Sequence, residues 1–220
     1  MVNKIRQETF YIDSNGRLSN SVDIEDVTIV DVAEFNHFSS NRKQRRNSQS
    51  LAARELLNAS LKKYFPECID GSCSLIKSDA GKPFLSGKDV PSISISHSGH
   101  WCASAIKSTL LVGIDIEVIQ SRDWESYCNF AFHPKEAQWI LAASDRERDV
   151  RGLICWCRKE ALVKASGISL LASLSTIAFT AEGELIELPK ELGEPLSWKF
   201  FTKVHSESLV VAVAWKISLD

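Results

Sequence analysis

The chain has 220 residues, of which 44% are hydrophobic and 25% are charged. This length suits one large domain or two small halves. With 26 basic and 28 acidic side chains the net charge is −2, which excludes the broad positive field of a nucleic-acid-binding protein.

The N-terminus and the cysteines indicate the compartment. The first ten residues lack the apolar segment of a signal peptide. The longest apolar run, Leu209–Trp215, is too short to cross a bilayer. Six cysteines without the spacing of a zinc site are typical of reduced structural thiols. We therefore expect a cytoplasmic protein that does not contact a membrane.

The first part of the chain combines strands with one long helix. Alternating apolar residues predict strands, and a segment without Pro or Gly that ends before Pro66 predicts a helix. In chain order we expect strand Asp23–Val32, helix Asn41–Tyr64, a turn at Gly81-Lys82-Pro83, strands Ser92–His97 and Trp101–Ile106 around a short loop, and strand Leu110–Val118.

The second part begins with helices and ends with strands. We expect helices Trp124–Ala131, Pro134–Ala143 and Asp149–Ser166, then strands Leu174–Thr180, Glu184–Leu188, Trp198–Val204 and Ser208–Ile217. Because each part mixes helix with a run of strands, the pattern favours an α+β fold with antiparallel sheets over a doubly wound parallel sheet. It places a boundary near residues 108–118.

The strand Val112–Val118 carries the first candidate site. Asp115 and Glu117 are two residues apart and share one face of the strand, while Ile114 and Ile116 point the other way. Two like charges at this spacing repel each other unless a cation lies between them. The pair is either a solvated strand end or part of a site for a hard metal ion.

The helix that follows offers a third acid. Glu160 and Lys164 are one turn apart and lie on the same face. So much of this helix is apolar that we expect it to be mostly buried. A half-buried glutamate needs a partner, which would be either Lys164 or a cation.

Polar donors and basic residues lie on the earlier elements. The segment Ser94–Gly99 is not a serine-hydrolase motif, because no Gly-x-Ser-x-Gly turn is present and Ser96 and His97 face opposite ways on a strand. Its hydroxyls and imidazole suit phosphate oxygens. Lys82 and the basic run Arg42–Arg46 are either solvated surface or cations for the same anion.

Taken together, the carboxylates, cations and hydroxyl donors predict a Mg²⁺-dependent enzyme that acts on a phosphate anhydride. Carboxylates hold Mg²⁺, Mg²⁺ bridges phosphate oxygens, and basic side chains neutralise the remaining charge. A Walker-type glycine-rich loop is absent from the sequence, so an ordinary P-loop nucleotidase is not expected.

The motifs also occur in a familiar order: Gly81-Lys82-Pro83, Ser94–Ser98, Gly113–Glu117, and Trp156-x-x-Lys159-Glu160-Ala161 followed by Lys164. This order resembles that of the 4′-phosphopantetheinyl transferases, in particular the single-chain Sfp and AcpT type, over about residues 40 to 170. The resemblance implies a pseudo-twofold pair of similar α+β halves with coenzyme A between them. Residues 1–110 would form the phosphate and adenosine side, and residues 111–220 would carry the Mg²⁺ and catalytic residues.

The resemblance also implies an activity. The enzyme would transfer the 4′-phosphopantetheine group of coenzyme A to a serine of an apo acyl or peptidyl carrier protein and release adenosine 3′,5′-bisphosphate. Asp115, Glu117 and Glu160 would bind Mg²⁺ on the pyrophosphate. Lys164 would contact the pyrophosphate, and Glu160 would be ligand, general base or both. With both halves in one chain, a monomer is expected.

The remaining matches concern the rest of coenzyme A. Ser96 and His97 match the phosphate-contacting hairpin, and Lys82 matches a lysine near the adenosine 3′-phosphate. Glu136 matches a glutamate that lies near the metal in some relatives.

One departure concerns the first long helix. Many relatives carry Leu-Ala-Gly-Arg there, but this chain has Ser48-Gln49-Ser50 and lacks the arginine. Arg42, Arg45 or Arg46 would either replace it or face the acidic carrier protein. Two alternatives therefore remain open: a Mg²⁺-dependent phosphohydrolase, and a degenerate relative that only binds coenzyme A or a carrier.

Overall fold

The computed structural model of the chain describes residues 3–20, 23–25, 27–36, 41–69, 71, 73–78, 82–108, 110–168 and 171–217. Over these residues the fold is α+β with antiparallel sheets, as the sequence predicts. None of the helices described is long and apolar enough to cross a membrane.

The first sheet has four antiparallel strands in the order β1-β2-β6-β5. Helix α1 packs against one of its faces, with Leu57 and Leu61 against Ile29 and Ile106. Asn41 caps α1 by accepting hydrogen bonds from the amides of Lys43 and Gln44. The elements are β1 (Lys4–Ile12), β2 (Thr28–Phe35), α1 (Arg42–Tyr64), β5 (Ser92–Ser98) and β6 (Trp101–Lys107), with a separate hairpin of β3 (Ser74–Lys77) and β4 (Pro83–Ser86).

The second sheet has three antiparallel strands in the order β10-β11-β7, and helix α4 packs on it. Gly167 ends α4 in the left-handed conformation, at φ 73°. The elements are β7 (Val112–Val118), α2 (Trp124–Ala131), α3 (Pro134–Leu141), α4 (Asp145–Ser166), the short strands β8 (Ala178–Phe179) and β9 (Leu185–Glu187), then β10 (Trp198–His205) and β11 (Leu209–Lys216).

The two sheets face each other across a common core. Val30 and Val32 of β2 lie in the same buried cluster as Ile114 and Ile116 of β7. The chain is therefore layered as α1, first sheet, second sheet and α4. The division at residue 110 and the pseudo-twofold relation of two halves remain predictions.

Most of the predicted elements are confirmed, and the errors have physical reasons. The strand expected at Asp23–Val32 lies at Thr28–Phe35, and α4 begins at Asp145, where Asp145 and Glu147 suit the positive end of a helix. Strand Leu174–Thr180 is wrong in its first part, because residues 171–176 form a 3-10 helix. Strand β1 was missed, since it is a mostly exposed edge strand with many polar residues. Gly81 of the predicted turn lies outside the described residues.

A ladder of serine side chains joins the sheets at their edges. β7 is an edge strand, and its amides at Val112, Ile114, Ile116 and Val118 face β5 rather than a strand of their own sheet. Each amide donates to a serine hydroxyl twenty residues earlier, at 3.1 to 3.3 Å. The four acceptors of this serine ladder are Ser92, Ser94, Ser96 and Ser98. The ladder fixes the register of β7 against β5.

Gly113 allows α4 to approach β7 closely. A Cβ atom on Gly113 would lie 2.0 Å from the Ala161 carbonyl oxygen and 2.4 Å from the Ala165 amide nitrogen. Backbone contact at this point brings the α4 residues Glu160 and Lys164 within reach of the next acid on β7, Asp115.

We therefore predict that Gly113→Ala displaces α4. The obstructing atoms belong to the backbone and cannot rotate away, so the free energy of unfolding should fall by about 1–3 kcal/mol or more. Urea denaturation followed by circular dichroism measures this loss. An unchanged urea midpoint would contradict the close approach.

Candidate active site

The two acids of β7 lie on the face that points toward α4. Asp115 Oδ1 accepts a hydrogen bond from Ser96 Oγ at 2.9 Å, and Glu117 Oε2 accepts one from Ser98 Oγ at 2.9 Å. Two members of the serine ladder therefore accept from the backbone of β7 and donate to its carboxylates at the same time.

Lys164 of α4 contacts Asp115 rather than Glu160. Its Nζ lies 2.7 Å from Asp115 Oδ1 and 3.0 Å from Ser96 Oγ. From the helical spacing, the expected partner of Glu160 was either Lys164 or a cation. In the structure, Lys164 pairs with Asp115 instead.

Glu160 consequently carries an uncompensated charge. Its carboxylate makes no hydrogen bond or ion pair with the described part of the chain. Burial raises the pKa of Glu160, the negative charge of Asp115 raises it further, and Lys164 opposes the shift. A raised pKa suits a group that accepts a proton near neutral pH.

Arg122 is a site residue that sequence reasoning missed. Its Nη2 lies 2.8 Å from Glu117 Oε2, and both side chains are largely buried. The guanidinium also lies over the rings of Trp124, at 6.0 Å, and Tyr127, at 5.8 Å. An arginine five residues after an acid has no helical or strand spacing to mark it, so only the fold reveals the pair.

The donor set fits a hard divalent cation. Asp115 Oδ2 is buried and has no hydrogen-bond partner, and Glu160 lacks a counter-charge. Three carboxylates face two cations, Lys164 and Arg122, which leaves one net negative charge. Within the described ranges no three His, Cys, Asp or Glu side chains stand close enough to hold a metal as they are. Oxygen ligands of this kind nevertheless match Mg²⁺.

His97 is partly buried and feels the charges of two basic residues. Burial lowers its pKa, and the charges of Lys164 and Arg46 lower it further. The imidazole is therefore neutral near pH 7. Arg46, from the first turns of α1, is thus near enough to His97 to act on its pKa, and its role at an anion site remains a prediction. Arg42 is exposed at the start of α1, and its role remains a prediction.

The segment Ser48-Gln49-Ser50, which stands where relatives carry the arginine, makes a structural contact through Gln49. Gln49 is buried on α1 and donates from Nε2 to the Gly99 carbonyl at 2.7 Å. This hydrogen bond connects α1 to the turn between β5 and β6, and so helps to hold the hairpin against the helix.

Lys82 reaches the C-terminal end of α4, at the residue that follows Lys164 in the chain. Its Nζ donates to the Ala165 carbonyl at 3.1 Å, and burial lowers its pKa. Together with Lys216 and Leu111 it lines a cavity of about 350 Å³. Lys82 is therefore a cation with restricted solvation, next to a space that could hold part of a ligand.

Glu136 belongs to a different set of contacts. Its carboxylate lies 2.6 Å from Lys159 Nζ and accepts from the amides of His133 and Phe179. Lys159 is fully buried and also donates to the carbonyls of Ala131 and Leu174. None of these contacts involves Asp115, Glu117 or Glu160, so they do not support the expectation that Glu136 lies near the metal.

Comparison with known proteins gives partial sequence matches to one family. The family model of the 4′-phosphopantetheinyl transferase superfamily matches residues 111–214. The chain is 36% identical over 127 residues to the 4′-phosphopantetheinyl transferase AcpT of Salmonella typhi, a match that covers 56% of this chain and 60% of the relative. It is 28% identical over 140 residues to the 4′-phosphopantetheinyl transferase HetI of Nostoc sp. strain PCC 7120, covering 61% and 56%. The chain thus spans less than two thirds of the length of the relatives it matches.

Glu136 provides a test that separates structure from chemistry. Glu136→Gln should leave the Lys159 ammonium buried without a counter-charge, which typically costs about 3–5 kcal/mol of unfolding free energy. Urea denaturation measures this loss, and calorimetry on the folded variant should show unchanged Mg²⁺ binding.

The matched control is Glu187→Gln. Glu187 pairs with Lys135 at 3.8 Å, but its side chain is 49% exposed, so the loss should stay below about 1 kcal/mol. If a stable Glu136→Gln protein bound Mg²⁺ more weakly than the wild type, Glu136 would have to be counted as a residue of the metal site.

Proposed function

We propose that the chain, which matches the 4′-phosphopantetheinyl transferase superfamily over residues 111–214 and is similar to AcpT and HetI, transfers the 4′-phosphopantetheine group of coenzyme A to a serine hydroxyl of an apo acyl or peptidyl carrier protein. The observation that carries the proposal is the cluster of Asp115, Glu117, Glu160 and Lys164, which lies wholly within the matched segment.

The metal in this proposal is Mg²⁺. Asp115, Glu117 and Glu160 would hold it, through oxygens such as the unpartnered Oδ2 of Asp115. When bound, Mg²⁺ would neutralise charge that develops on the phosphate oxygens.

Glu160 is the general base in the proposed reaction. A bond forms between the carrier serine Oγ and the β-phosphorus of coenzyme A, and the bond from that phosphorus to the bridging oxygen breaks. Adenosine 3′,5′-bisphosphate leaves, and the serine proton passes to Glu160. The raised pKa of Glu160 suits this transfer.

Basic and polar groups stabilise the phosphates in this scheme. Lys164 has a partly exposed side chain at 29% and donates charge-assisted hydrogen bonds to the pyrophosphate. Neutral His97 donates from the hairpin, whereas Ser96, whose hydroxyl proton goes to Asp115, supports the site by orienting that carboxylate. Lys82 contacts the adenosine 3′-phosphate side, and Arg42 adds positive charge one helical turn before Arg46.

The proposal also covers the division of the chain into two halves and its oligomeric state. Residues 1–110 and 111–220 act as two pseudo-twofold halves, and a monomer suffices because one chain supplies both sides of the cleft. The six cysteines form no disulfide among themselves, which fits the reducing cytoplasm.

The proposed function is tested by incubating the protein with coenzyme A, Mg²⁺ and several apo carrier proteins. Mass spectrometry should show addition of phosphopantetheine to at least one carrier. Asp115→Asn should abolish it, because Asn cannot supply a charged ligand, while Glu182→Ala at an exposed position should keep wild-type activity.

The other outcomes identify the alternatives. Cleavage of coenzyme A without any carrier would indicate a phosphohydrolase. Binding of coenzyme A without turnover on any carrier would indicate a degenerate binding protein. Either result would overturn the proposed transfer.

A further inference from the structure

The contacts of Asp115 and Glu117 repeat one arrangement. One oxygen of each carboxylate receives a serine hydroxyl and a basic side chain: Ser96 and Lys164 on Asp115 Oδ1, and Ser98 and Arg122 on Glu117 Oε2. Asp115 Oδ2 makes no standard hydrogen bond with the described residues, although the Cys157 thiol interacts with this carboxylate, and Glu117 Oε1 has no hydrogen-bond partner among the described residues. Each carboxylate is thus held by one oxygen and offers the second.

The serine donors cannot easily turn away. Ser98 Oγ accepts from the Val118 amide at 3.1 Å while donating to Glu117 at 2.9 Å. The hydroxyl proton therefore has a fixed direction, because the lone pair toward the backbone is already used. Ser98 therefore holds the Glu117 carboxylate in place as well as the backbone of β7.

The two basic side chains differ in mobility. The Arg122 side chain is 13% exposed and lies over Trp124 and Tyr127, and such cation–π contacts hold a guanidinium in place. Lys164 is 29% exposed and has no aromatic contact within the described residues. Arg122 is therefore the stationary partner, and Lys164 is the one able to turn toward an incoming anion.

We infer that Ser98 and Arg122 are positioning residues that hold Glu117 by Oε2, so that Oε1 points to the metal. This rests on the proposed function for its chemical meaning, but its effect on metal binding can be measured without any transfer. Outer contacts of this kind typically change metal affinity or activity by about 10- to 100-fold.

The test compares Ser98→Ala with Ser94→Ala. Both variants remove a ladder hydroxyl that accepts a β7 amide at 3.1 Å, but only Ser98 also donates to a carboxylate. Manganese(II) titrations of the whole chain, followed by electron paramagnetic resonance, measure affinity for the metal alone. Ser98→Ala and Arg122→Gln should weaken it by about 10- to 100-fold, while Ser94→Ala should keep wild-type affinity.

Kinetics and rescue complete the design. With coenzyme A and a carrier, the Mg²⁺ concentration for half-maximal rate should rise for Ser98→Ala, and Ser98→Thr should restore it because the hydroxyl is retained. Equal losses for Ser94→Ala and Ser98→Ala would show a merely structural role, and unchanged manganese affinity in Ser98→Ala would overturn the inference. Absence of metal binding in the wild-type protein would overturn it as well. Failure of transfer alone would count only against the proposed function.

Discussion

The free edge of β7 is the constraint on which the rest of the structure depends. An edge strand buried between layers must satisfy its amides, because a buried N–H without a partner costs about 1–3 kcal/mol. The chain meets this requirement with the serine ladder instead of another strand. A hydroxyl can accept and donate at once, whereas a methyl group or a carboxylate could not do both. The same side chains that join the sheets therefore orient Asp115 and Glu117.

The second requirement is close contact between β7 and α4. Gly113 removes the Cβ that would separate the strand from the helix backbone, and the cleft carboxylates are consequently near one another. Burial raises the pKa of Glu160, and repulsion by the charges of Asp115 and Glu117 raises it further. Lys164 and Arg122 reduce this repulsion without removing it. The three carboxylates and two basic side chains together retain one net negative charge.

The sequence predicted those parts of the site that depend on local spacing. Asp115 and Glu117 share a face because strand side chains alternate, and Glu160 and Lys164 share a face because they are one helical turn apart. The hairpin, α1 and the end of α4 at Gly167 follow from equally local signals. What could not be predicted is pairing between distant segments, such as Lys164 with Asp115 or Lys159 with Glu136. Those partners depend on how the sheets and helices are stacked, which no short-range pattern encodes.

Lys159 and Lys164, the two lysines of the α4 motif, differ in burial and therefore in what they can do. Lys159 places all three of its donors on protein acceptors, Glu136 and two carbonyls, and is fully buried. It has no capacity left for a ligand, so its contribution is to hold α4 against α2 and α3. Lys164 uses two donors and is partly exposed. The remaining donor and the flexible stem leave it able to exchange Asp115 for a phosphate. Lys159 directly precedes Glu160 in the chain, so this fixed lysine sets the rotation of α4 at which Glu160 and Lys164 face Asp115.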